Sequence, residues 1–72
     1  MPTWKELRKF LSNTGWELYR IGDHYYYRKT IEDGTMIRIR CSMGSGEIGA
    51  NLWRWILKHE LGITQEYFNK NK

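Results

Sequence analysis

Gly22-Asp23-His24-Tyr25-Tyr26-Tyr27-Arg28-Lys29-Thr30-Ile31-Glu32-Asp33-Gly34-Thr35-Met36-Ile37-Arg38-Ile39-Arg40-Cys41 is the stretch whose reading decides the fold. It opens on a turn signal, Gly22-Asp23. His24 to Thr30 carries three consecutive tyrosines, which favour strand because large rings pack well on a pleated, half-buried surface. Glu32-Asp33-Gly34 is a second turn signal. Met36 to Cys41 alternates strictly: Ile37, Ile39 and Cys41 fall on one face, Met36, Arg38 and Arg40 on the other. Tight turns between successive strands predict an antiparallel meander.

Working outward, Trp16 to Ile21 is short and β-rich and supplies the first strand. Before it, Thr3-Trp4-Lys5-Glu6 fits a capping box, in which a threonine oxygen meets a backbone N–H and the glutamate reaches back. Trp4, Leu7, Phe10 and Leu11 then recur at helical spacing, and Asn13-Thr14-Gly15 stops that helix. After the strands, Ser42 to Gly46 reads as a flexible connection. A second helix begins near Ala50. Its apolar stripe is Leu52, Trp55, Ile56 and His59, which predicts a packed or half-buried His59 and leaves Trp53 outside the stripe. Gly62 suits the residue just past the helix end. Thr64 caps a last short turn holding Tyr67 and Phe68, and Asn69 to Lys72 are expected to fray. The order is α-β-β-β-α with a short C-terminal helix. That is a two-layer α+β domain spanning residues 1–72, with a three-stranded antiparallel sheet covered by helices on one face.

Composition narrows the function. The chain has 72 residues, with Lys+Arg 12 against Asp+Glu 8, a formal charge of +4 and a 15% share of aromatic residues. Seventy-odd residues give one small core and too little chain for a nucleotide-binding α/β enzyme of the usual size. The single cysteine, Cys41, makes no intrachain disulfide and reads as a small core residue. No apolar run is long enough for a membrane span and the start of the chain has no secretory pattern, so a cytoplasmic protein with no membrane contact is expected.

Period two also predicts the wet face of the sheet. With Ile37, Ile39 and Cys41 inward, Arg38 and Arg40 point outward. On the middle strand His24, Tyr26 and Arg28 are assigned outward, and Tyr25, Tyr27 and Lys29 inward. Three guanidinium groups bind phosphates, a phenol ring offers a stacking platform, and an imidazole moves protons near neutral pH. This open face reads as RNA-binding, through Tyr26, Arg28, Arg38 and Arg40, with Lys29 as a further cation of the set. His24, Cys41 and His59 fall on separate elements without paired ligand spacing, so no metal site and no cofactor are expected.

The chain resembles the HicA toxins of HicA–HicB toxin–antitoxin pairs. The resemblance rests on an ordered set of pieces. An opening helix, Leu7-Arg8-Lys9-Phe10-Leu11, leads to Gly15-Trp16-Glu17-Leu18-Tyr19-Arg20. The family's Gly-Ser-His turn before a strand corresponds to Gly22-Asp23-His24-Tyr25-Tyr26-Tyr27. Its second helix corresponds to Gly46-Glu47-Ile48-Gly49, Leu52-Trp53-Arg54-Trp55-Ile56-Leu57-Lys58 and Leu61-Gly62-Ile63-Thr64. The similarity covers roughly residues 5 to 68. It implies a fold like a double-stranded RNA-binding domain, metal-independent endonuclease cleavage of messenger RNA, and a HicB-like antitoxin that covers the active face. It also implies His24 as the catalytic residue, oriented by the Gly22-Asp23 turn. Asp23 departs from the family's serine, Tyr25 stands where a second histidine is common, and no histidine follows the third strand.

The chemistry of such a site is stated without the family. A base removes the 2′-hydroxyl proton, cations stabilise the phosphorane, and an acid protonates the leaving 5′-oxygen. His24 suits the first role. Tyr26 is the acid within reach, a weak one at an ordinary pKa near 10. Asp23 is expected to hold the imidazole and raise its pKa. Two other classes stay open. One is a non-catalytic double-stranded RNA-binding module. The other is a protein-interaction domain using Trp53, Tyr67 and Phe68.

Overall fold

The computed structural model describes residues 2–44 and 46–72. Helix α1 (Trp4–Asn13) is followed by strands β1 (Glu17–Ile21), β2 (Tyr25–Thr30) and β3 (Met36–Cys41), then by α2 (Ala50–Trp55) and α3 (Gln65–Asn71). Between the last two, Ile56–Leu61 continues α2 as a wider π-helical turn. The sheet is antiparallel in the order β1-β2-β3, so the expected α+β architecture is present.

The capping box at Thr3 is complete. The Thr3 hydroxyl oxygen accepts from the Glu6 backbone N–H at 3.1 Å, and the Glu6 carboxylate accepts from the Thr3 N–H at 3.0 Å. The second hairpin closes where Gly34 adopts φ +89°, a left-handed backbone that disfavours any side chain. Asp33 supports the same turn by accepting from the Thr35 N–H at 2.8 Å. Gly62 does for the α2 end what Gly34 does for the hairpin, with φ 64° and ψ 35°.

The inner sheet face carries Tyr27, Ile39 and Cys41, and the core closes over it with Leu7, Phe10 and Leu11 of α1 together with Ile48, Trp53, Ile56 and Phe68. The strict alternation of β3 holds: Ile39 and Cys41 are buried, while Met36, Arg38 and Arg40 are exposed. Cys41 is fully buried, and burial pushes its thiol up to about 12.

Helix α2 is rotated from the expected orientation. Of the stripe Leu52, Trp55, Ile56 and His59, only Ile56 is buried, and His59 is exposed. Trp53 takes the inward place instead. Its ring meets Phe68 edge-on at 4.7 Å and its indole N–H donates to Gln65 Oε1. The π-helical turn then ends the 3.6-residue period on which the stripe depends. Trp53 and Phe68 are buried, and Tyr67 alone of that expected trio is exposed.

One further expectation is corrected. Asn69 to Lys72 are not an unwound end: they complete α3 to Asn71, whose carbonyl accepts from the Asn13 amide, while Lys72 Nζ pairs with Glu6 at 3.0 Å. At the start of the connection after β3, Arg8 donates to the carbonyls of Ser42 at 2.6 Å and Gly44 at 3.1 Å. Ser45 of that connection lies outside the described residues. No helix among the described residues is long and apolar enough to cross a membrane.

Candidate nucleic-acid interface

Register places the outer residues. Tyr26 lies opposite Arg40 and Arg28 opposite Arg38, all on the sheet face other than the one carrying Tyr27, Ile39 and Cys41. Tyr27 opposite Ile39 and Tyr25 opposite Cys41 occupy the inner face. A bulge in β1 between Leu18 and Arg20 gives that strand one residue more than its partner, so Tyr19 and Arg20 both address the outer face. There the Arg28 guanidinium lies 4.9 Å from the Tyr19 ring and that of Arg20 lies 5.2 Å from the Tyr26 ring. Simple alternation missed both Tyr19 and Arg20, because a bulge has no signature in the hydrophobic pattern.

Arg28 is engaged within the fold. Its Nε donates to Glu17 Oε1 at 2.6 Å, which holds the Glu17 carboxyl below the usual range. Arg38 and Arg40 are exposed and, among the described residues, neither has a hydrogen bond or ion pair. Arg38 faces Arg28 across the ladder, and the Glu17 carboxylate already offsets the Arg28 charge, so Arg38 and Arg40 are the cations open to an anion on this face. Lys29 is not part of this surface. It lies opposite Ile37 on the inner face, and its Nζ donates to the Thr14 carbonyl at 3.1 Å.

The Gly22-Asp23-His24 turn stands at the end of the sheet where β3 runs into Ser42. Gly22 N–H donates to the His24 carbonyl at 3.0 Å. Its backbone is not left-handed and a Cβ there would meet only an Arg20 side-chain nitrogen at 3.8 Å, so the turn does not require glycine. Asp23 is shared between Tyr26 and His24, with the shorter contact to Tyr26. Its Oδ1 accepts from the Tyr26 hydroxyl at 2.8 Å, whereas its Oδ2 is 3.9 Å from His24 Nε2. The Tyr26 bond lowers the Asp23 pKa and raises that of Tyr26. Tyr26 is thereby a worse acid than a free phenol, and it serves as a wall of the site. The His24 ring meets Tyr26 edge-on at 6.2 Å. Its side chain is 35% exposed, and Nδ1 is the buried side-chain nitrogen left without a partner among the described residues.

His24, Tyr26, Arg38 and Arg40 border one cavity of about 620 Å³. Its other wall comes from α2 and its continuation: Leu52, Trp55 and Glu60. The sequence reading assigned none of these three to the site. Leu52 and Trp55 were placed in the core because helical spacing marks a stripe without saying which stripe is covered. Glu60 is half-buried, and burial raises its carboxyl pKa, with Arg40 acting in the opposite sense. The cavity therefore combines two guanidinium groups without a hydrogen bond or ion pair among the described residues, an imidazole, a carboxyl group that protonates more readily than usual, and a half-exposed indole. Among the described residues no cluster of three His, Cys, Asp or Glu side chains is arranged to hold a metal ion. Compared with protein-family models, with curated proteins and with solved structures, the chain matches none.

Proposed function

We propose that this protein is a HicA-like RNA-binding toxin, an endoribonuclease that cleaves messenger RNA at the outer sheet face without a cofactor. The observation that carries the reading is the convergence of His24, Arg38 and Arg40 on one cavity, with neither arginine hydrogen-bonded or ion-paired among the described residues. An RNA phosphate is the ligand that fits two free guanidinium groups beside a proton-transferring imidazole.

In this reading His24 takes the proton of a 2′-hydroxyl as that oxygen bonds to the adjacent phosphorus. Arg38 and Arg40 bear the phosphorane charge. The P–O5′ bond breaks, and the departing oxygen receives its proton from Glu60, the half-buried acid of the same cavity. Gly22 and Asp23 form the turn that presents His24, and Asp23 also fixes Tyr26. A HicB-like antitoxin that covers this face is the protein partner that the reading implies, with the cytoplasm as its compartment.

A non-catalytic RNA-binding module is the second reading. One observation favours it: among the described residues no carboxylate or carbonyl orients Nδ1 of His24. Incubation of a long RNA with the parent and with His24→Ala in excess EDTA separates the two. Cleavage by the parent alone supports the ribonuclease. Intact RNA with both proteins, together with salt-sensitive binding, supports the module. Cleavage that requires Mg²⁺ overturns the proposed chemistry.

A further inference from the structure

We infer that the cavity between β3 and α2 is a subsite for one unpaired nucleotide, its base stacked on Trp55 and its phosphate held by Arg38 and Arg40. The inference rests on the RNA reading above and deepens it by naming the form of RNA that is recognised.

Four observations lead there. First, Trp55 is 50% exposed and Leu52 46%, although both are large apolar side chains on a helix whose other face is buried. Second, Trp55 is held at the rim by its neighbour one turn on: its ring lies 5.5 Å from that of His59, tilted by 35°. A ring supported on one side and open on the other is a stacking platform. Third, the same cavity is lined by Arg38 and Arg40, neither with a hydrogen bond or ion pair among the described residues, and by one acid, Glu60. An anionic ligand with a flat apolar part matches such a lining, and a nucleotide is that ligand. Fourth, about 620 Å³ falls within the range typical of small-ligand sites.

The geometry also decides between paired and unpaired RNA. In an A-form duplex each base is stacked between neighbours and its faces are covered. A duplex offers phosphates to Arg38 and Arg40 but no ring face to Trp55. A base out of the stack can lie on the Trp55 indole while its own phosphate meets the arginines of the same cavity. The expected double-stranded preference of this fold is thus replaced by a single-stranded one at this subsite.

The test uses the full chain and two labelled probes: a 2′-O-methyl single strand of about a dozen nucleotides, which resists cleavage, and the same strand annealed to its complement. Fluorescence anisotropy reads binding to each. The parent is expected to favour the single strand. Trp55→Ala should weaken single-strand binding by roughly 5- to 150-fold, the range for loss of one base–aromatic stack, and barely alter duplex binding. Trp55→Phe should recover most of the loss, and circular dichroism checks that both variants fold. Equal binding of the two probes by the parent, or a Trp55→Ala variant indistinguishable from it, overturns the subsite and leaves RNA recognition standing. Failure of the parent to bind either probe overturns the RNA reading itself.

Discussion

Trp53 and Trp55 stand two residues apart on α2 and end in opposite surroundings. Trp53 is 5% exposed, wedged against Phe68 and tied to Gln65. Trp55 is 50% exposed, and its ring contact is with His59 of its own helix. The same contrast extends across the molecule. On the Trp53 side, Phe10 and Phe68 rings lie 4.9 Å apart and the Glu6–Lys72 pair joins α1 to α3. On the Trp55 side, the helix borders a cavity of about 620 Å³ lined by Arg38 and Arg40, which have no hydrogen bond or ion pair among the described residues; the cavity bordered by Trp53 and Phe68 is smaller, about 380 Å³. The Trp53 side joins α1, α2 and α3 through ring contacts; the Trp55 side offers the larger open volume. The difference teaches where this small domain holds itself together and where it is free to bind.

Substitution tests that division most strongly at the aromatic positions. Phe68→Ala and Trp53→Ala should each lower unfolding stability by about 3–5 kcal/mol in urea titration, a large share of what a small domain possesses. Trp55→Ala should shift it by only about 0.5 kcal/mol. Comparable losses at Trp53 and Trp55 would erase the contrast between the two faces.

Helix starts give the next effect. Thr3 caps α1 through its hydroxyl, whereas Gly49 at the start of α2 offers no side chain. Thr3→Ala should cost about 1 kcal/mol, seen as a lower melting temperature. Gly49→Ser should add a few tenths of a kcal/mol, since a Cβ there meets nothing within 4 Å and serine caps slightly better than glycine.

The smallest effects are those of pH, and the two sides differ in sign. Glu6 has its pKa lowered, first by the Lys72 hydrogen bond. Its contribution is present above the ordinary 4.5 and fades as pH falls through the lowered value. Glu60 has its pKa raised by burial, so the folded state holds its proton longer than the unfolded chain does. Stability from that group therefore declines as pH rises from 4.5 through the raised value. Thermal melts of Glu6→Gln and Glu60→Gln between pH 3 and 7 should show opposite changes in slope. The Glu6 change should stay under about 1 kcal/mol, as for other exposed pairs. Parallel slopes would mean that the two carboxylates sit in equivalent surroundings.

Much of the sheet was legible because period two is unambiguous once one face is apolar. Ile37, Ile39 and Cys41 left one orientation for Arg38 and Arg40, and the β2 register followed. The α2 face was not legible for the opposite reason. Leu52, Trp53, Trp55, Ile56 and Leu57 surround most of that helix, so spacing permits two stripes. Contact with Phe68 and Gln65, distant in sequence, selects between them. Lys29 was misjudged as a ligand contact because its charge outweighed its position in the alternation. Glu60 was missed because nothing local marks a carboxylate that tertiary packing will bury.

The segment entering α2 is clasped by the chain's opening residues. Ile48 N–H donates to the Pro2 carbonyl at 2.8 Å, Trp4 N–H donates to the Gly46 carbonyl at 3.1 Å, and Thr3 bridges to Glu47. These contacts join residues separated by most of the sheet in sequence, so they reward folding only after the intervening loop is closed. Late docking of the wall bearing Trp55 is the expected order, and amide hydrogen exchange in α2 ahead of the β2–β3 ladder is the measurement that checks it.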